Sequence, residues 1–174
     1  MEHVPFAAGA PAQTGISACF ALPEGWSARQ REQPGNAAAV PLGLAGIDPA
    51  YPVYDIYNQN GALVGAIGCG NYEPYEGDRD SVAVVYAALR LGAVYRFDTG
   101  QRYEVAATTR SGETALTDVI FQEGAAAPER RNIGILTYDR EKTCFLAAEL
   151  DANFVTEAQA REIAESLQIG DSQP

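Results

Sequence analysis

Apolar and polar positions along the chain fall mostly into short runs rich in β-branched and aromatic residues, broken by Gly, Pro and Asn, which predicts strands. The first runs from Ile16 to Leu22 and ends at the turn Pro23-Glu24-Gly25, after which Trp26 opens a second strand to Glu32. Tyr51 to Tyr57 and Ala62 to Gly68 pair as a hairpin across Asn58-Gln59-Asn60-Gly61, because Asn-Gly accepts the positive φ of a tight turn. Further strands are expected over Ala93–Asp98, Arg102–Thr109, Glu113–Gln122, Asn132–Asp139 and Thr143–Leu150.

Two stretches carry the helical period instead. Val82, Val85, Tyr86 and Leu89 share one helical face, so Ser81 to Leu91 is predicted as a helix, capped by Asp80 or Ser81 and ended by Gly92. The second helix opens on a capping box, Thr156 with Gln159, and places Ala160, Ile163, Ala164 and Leu167 on one side, with Gly170 closing it. Its other side carries Glu157, Arg161, Glu162 and Glu165.

The late strands are apolar on both faces. Leu116 and Ile120 oppose Val119 and Phe121, and Cys144, Leu146 and Leu150 oppose Phe145 and Ala147. A sheet with one wet face alternates more cleanly than this, so both faces are expected to be covered. The predicted fold is therefore α+β, a mostly antiparallel sheet of about six to eight strands with helices on both faces. Residues 1–15, rich in Ala, Pro and Gly, read as a flexible tail or linker, 16–170 as a single α+β domain, and 171–174 as a C-terminal tail.

Charge narrows the partners. The 174 residues carry a net charge of -11 and a pI near 4.4. Binding to nucleic acid or to an anionic membrane surface needs the opposite balance, so neither is expected. No apolar run is long enough to span a bilayer, and any membrane link is expected through an anchor preceding Met1. An extracytoplasmic location, secreted or membrane-anchored, is the matching expectation.

The composition also removes most catalytic chemistry. His3 is the one histidine of the chain and falls in the expected tail, which disfavours Ser-His-Asp, Cys-His and HExxH centres. No phosphate loop or nucleophile elbow is present. Gly65, Gly68 and Gly70 close a strand rather than open a helix, and read as backbone relief. Cys19, Cys69 and Cys144 form no CxxC pair and read as buried thiols, with one cross-strand disulfide as the alternative.

One dense polar cluster remains, between Asn71 and Asp80. Tyr72, Glu73, Tyr75 and Glu76 suit a protein contact, since tyrosines beside acids are interface chemistry. Glu73, Glu76, Asp78 and Asp80 are the alternative ligands for Ca²⁺, although their spacing is not that of an EF-hand loop. Tyr51, Tyr54 and Tyr57 along the first hairpin strand read as core packing or as the wall of a groove.

The segment Phe20-Ala21-Leu22-Pro23-Glu24-Gly25-Trp26 resembles the start of Mog1/PsbP-like domains, and Val155 to Gln159 opening a last helix resembles their end. The interior, with Tyr54-Asp55-Ile56-Tyr57 and Gly65-Ala66-Ile67-Gly68, is similar to secreted or lipid-anchored proteins of gut Firmicutes. The resemblance implies an α/β/α sandwich that serves as a binding or assembly module, and its partners are too diverse to carry one over. The expectation is thus a non-enzymatic interaction or sensor module with an unidentified protein partner and no cofactor. A calcium-stabilised domain and an acid-pair hydrolase are the rival readings.

Overall fold

The computed structural model describes residues 2–5, 16–31, 53–71, 94–96, 102–111, 114–122, 124–139 and 144–171. The Asn58 turn shows how local sequence fixes pairing. The Asn58 side-chain oxygen accepts from the backbone N–H of Asn60 and of Ala62, each at 3.0 Å, and Gly61 takes φ 75°. This turn joins β4 (Val53–Tyr57) to β5 (Leu63–Asn71) with the strands antiparallel. The second strand runs past Gly68 into what the sequence marks as loop.

The remaining strands are β1 (Glu2–Pro5), β2 (Ile16–Phe20), β3 (Ser27–Gln30), β6 (Val94–Arg96), β7 (Arg102–Ser111), β8 (Thr114–Gln122), β9 (Arg130–Asp139), β10 (Cys144–Asp151) and β11 (Gln168–Asp171). The single described helix, α1 (Glu157–Ser166), stands between β10 and β11. Two antiparallel sheets result. The large one has the order β3-β4-β5-β10-β9-β8-β7-β6, with short strands at both edges. The small one has the order β1-β2-β11.

Alternation along paired strands sorts the large sheet into two faces. Ile56, Ile67, Ile133, Ile135, Leu146, Ala148 and Leu150 pack with Ala160, Ile163 and Ala164 of α1 and with Phe20 from the small sheet. The Thr156 capping box forms as expected: Gln159 N–H donates to the Thr156 hydroxyl at 3.3 Å, and Thr156 N–H to the Gln159 side-chain oxygen at 3.0 Å. The helix does not run on to Gly170. It stops at Leu167, which is extended, and Gly170 lies in β11.

The expected sandwich with helices on both faces is not the fold. The structure is mostly β, and its described residues hold one ten-residue helix packed on one face. The opposite face is buried as well, at Ala66, Ala115, Val119, Leu136 and Ala147. Apolar residues on both faces of a strand therefore report that both are dry, and not that helices dry them. Part of the cover on the α1 face is itself sheet, through Phe20 and Ile169. The predicted helix over 81–91 and the connection 33–50 lie outside the described residues.

Gly65 shows close strand approach. A Cβ there would sit 2.3 Å from the Glu149 carbonyl oxygen and 2.8 Å from Leu150 Cδ2, so only glycine fits.

Candidate functional site

The sequence-predicted site residues Tyr72, Glu73, Tyr75, Glu76, Asp78 and Asp80 lie outside the described residues, as does Tyr51. Of the tyrosines in β4, Tyr54 packs against the core, and the ring of Tyr57 lies 5.1 Å beneath the Arg29 guanidinium. Among the described residues no group of three His, Cys, Asp or Glu is placed to hold a metal ion.

The register does assemble a polar row across the large sheet on the face away from α1. Arg29 pairs with Asp55, Asp55 with Ala66, Ala66 with Glu149, Glu149 with Gly134, and Gly134 with Thr117. Asp55 and Glu149 are thus two strands apart on one face, a backbone separation of about 10 Å. That bears on the acid-pair reading, which needs two carboxylates about 5–10 Å apart facing a substrate cleft.

Their hydrogen bonds suit support better than acid–base work. Arg31 holds Asp55 bidentately, with Nε 3.1 Å and 3.3 Å from the two carboxylate oxygens and a terminal nitrogen on one of them. Both side chains are largely buried, in the geometry where an arginine–carboxylate pair gives most. Glu149 is 8% exposed and accepts a hydrogen bond from the Asn132 side chain. Two strands further along the row, beyond Gly134, the Thr117 hydroxyl is fully buried and has no hydrogen-bond partner. Neither Asp55 nor Glu149 lines either described groove.

Open surface lies at one end of the sheet. After β10 the chain makes a turn in which the Asp151 carboxylate accepts from Asn153 N–H at 2.8 Å, and the Asp151 carbonyl accepts from the N–H groups of Phe154 and Val155, each at 3.0 Å. Ala152 N–H donates to the Arg131 carbonyl at 2.9 Å, tying the turn to β9. Val155 is consequently buried, while Phe154 is left 51% exposed at the tip. Leu63, 49% exposed, precedes Gly65, the partner of Leu150, so it ends beside the same turn.

A groove of about 460 Å³ adjoins the Asp151 turn, lined by Asp118, Arg130, Arg131, Asn153, Thr156 and neighbouring residues. Arg131 and Asp118 form an exposed ion pair at 3.2 Å on its wall. A second groove, of about 280 Å³, opens where α1 leaves β7 and β8 uncovered, between Thr109, Leu116, Arg161, Glu165 and Leu167.

Phe154 was open to sequence reasoning as an apolar residue inside the turn chemistry Asp151-Ala152-Asn153. Its exposure follows only from the way Asp151 ties the backbone. Leu63 gave no such signal, being one apolar residue of a hairpin strand. No family model matches the chain and no curated protein matches it, so the likeness to Mog1/PsbP-like domains rests on its short motifs alone.

Proposed function

We propose that this domain is a non-enzymatic interaction module that binds a protein partner through the sheet end carrying Leu63 and Phe154. The observation that carries the reading is Phe154, a half-exposed aromatic on a turn whose backbone is already fixed by hydrogen bonds. An ordered aromatic anchor loses little conformational freedom on docking, and aromatics with arginine dominate the energetics of protein interfaces. Leu63 widens the apolar contact, and the groove with Arg131 and Asp118 supplies the polar rim. The partner that fits presents an apolar socket for the phenylalanine ring, with polar groups around it. On the other face, Asp55 is held by Arg31 and Glu149 by Asn132, the arrangement of structural acids.

A photo-crosslinking residue placed at position 154 tests this in cells that express the chain, with the same residue at exposed Glu162 on α1 as control. A discrete protein adduct is expected from position 154, absent from position 162 and lost when Leu63→Ser is added. Adducts that are absent, or equal from both positions, would remove this surface. Leu63→Ser and Phe154→Ser alter exposed side chains, so stability should stay within about 0.5 kcal/mol and folding is not in question.

A further inference from the structure

The hairpin turn between β4 and β5 carries a covalent chemistry that the proposed docking surface does not use. Of the six asparagines in the chain, only Asn60 is followed by glycine. Glycine has no side chain to hinder its own backbone nitrogen, so in an Asn-Gly pair that nitrogen reaches the asparagine side-chain carbonyl carbon with least obstruction. Asn60 and Gly61 are both exposed, and nothing lies within 4 Å of where a Gly61 Cβ would stand. Water therefore reaches the pair freely.

The same turn holds the reacting nitrogen back. Gly61 N–H donates to the Asn58 backbone carbonyl at 2.9 Å, and an amide nitrogen attacks a carbonyl carbon only by giving up its proton. The Asn58 side-chain oxygen fixes the backbone on either side, accepting from Asn60 N–H and from Ala62 N–H at 3.0 Å each. Asn58 N–H in turn donates to the Ala62 carbonyl at 3.0 Å. Four hydrogen bonds thus converge on Asn58, and they hold the Gly61 nitrogen towards Asn58 instead of the Asn60 side chain.

We propose that Asn60 is a deamidation site gated by the Asn58 turn. When the turn opens, the Gly61 nitrogen loses its proton to water or hydroxide and bonds to the Asn60 side-chain carbonyl carbon. The bond from that carbon to the side-chain nitrogen breaks, and the nitrogen leaves as ammonia, taking its extra proton from water. The cyclic imide left behind adds water at one of its two carbonyls and reopens as aspartate or isoaspartate. In sum, asparagine and water give the acid and ammonia, with no other reactant. Either product adds a negative charge to a chain already at -11. Isoaspartate also lengthens the backbone by one carbon inside the turn that sets the β4–β5 register. Exposed Leu63, opposite Tyr57, follows this turn directly, so the new charge stands beside the proposed docking surface. Any effect on a partner rests on that surface, whereas the chemistry does not.

The test follows Asn60 conversion by peptide mass spectrometry in the isolated chain, held in warm, mildly alkaline buffer without any partner. The folded wild-type chain should convert at least about 10-fold more slowly than the same chain in guanidinium, because only the open fraction reacts. Asn58→Ala removes the oxygen that holds Asn60 and Ala62, and conversion should speed up about 5-fold or more. Asn58→Asp keeps an acceptor at that position and should stay near the wild-type rate. Folded conversion as fast as in guanidinium, or no acceleration in Asn58→Ala, would overturn the gating. No conversion at Asn60 in guanidinium would remove the site itself. If Asn58→Ala fails to fold, guanidinium below the unfolding transition opens the turn in the wild-type chain. Hydrogen exchange of the Gly61 amide and conversion of Asn60 should then rise in proportion, and conversion that stays flat while exchange rises refutes the proposal equally.

Discussion

Thr117→Val should stabilise this protein. Thr117 is in β8, 1% exposed, and its hydroxyl has no hydrogen-bond partner. Leaving a hydroxyl dry and unpaired costs about 1–3 kcal/mol by protein mutational measures. Valine has nearly the same shape and is also β-branched, so neither the χ1 preference nor the strand propensity changes appreciably. The surroundings accept it: the Thr117 and Val119 side chains flank Gly134, whose missing Cβ would lie 3.6 Å and 3.7 Å from them, ordinary contact distances. The methyl that replaces the hydroxyl adds apolar burial worth up to about 0.8 kcal/mol. The net expectation is a gain of about 1–3 kcal/mol. In a chain of this length each kcal/mol raises Tm by about 2–4 °C, so the melting point should rise by about 2–12 °C. Chemical denaturation should give the same sign, with the midpoint moved to higher denaturant at unchanged slope. A lower melting point would refute the reasoning, because it would mean that the Thr117 hydroxyl has a partner in solution.

Gly65→Ala should cost at least about 1–3 kcal/mol, since the new Cβ would meet the Glu149 carbonyl oxygen of the paired strand at 2.3 Å and the β5–β10 ladder would have to open. Thermal melting checks this, and an unchanged Tm would show that the two strands are not so close. Thr156→Ala removes the oxygen that caps Gln159 N–H and breaks the reciprocal box at the start of α1. A loss of about 1 kcal/mol in equilibrium unfolding is expected, and no loss would place the cap outside the folding unit.

Much of the local structure was legible in the residues. The Asn58–Gly61 turn and the Thr156 capping box follow from short-range chemistry, in which a side chain satisfies a backbone group a few positions away, and the strands between Arg102 and Leu150 follow from their runs of β-branched and aromatic residues. The lack of alternation in β10 also told correctly that both its faces are dry. What covered them was not legible, because burial at a position constrains only the absence of water there. Helix, strand and loop serve equally, and the expectation of helices on both faces failed for that reason. The strands β1 and β11 were missed because each has only four residues and no turn chemistry marks it.

The candidate sites divide along the same line. The amino-acid order by itself determined an acidic, antiparallel, strand-rich chain, its one strong helix start, and the scarcity of histidine that narrows its chemistry. Only the tertiary structure decided that Asp55 is held by Arg31, that Thr117 is left without a partner, that Phe154 stands out at a fixed turn, and that β1 pairs with β2 in the small sheet. Periodicity reports one residue's relation to its near neighbours. Each of these four facts depends instead on the register between segments brought together by burial, or on how a turn is tied down, and no local pattern encodes either.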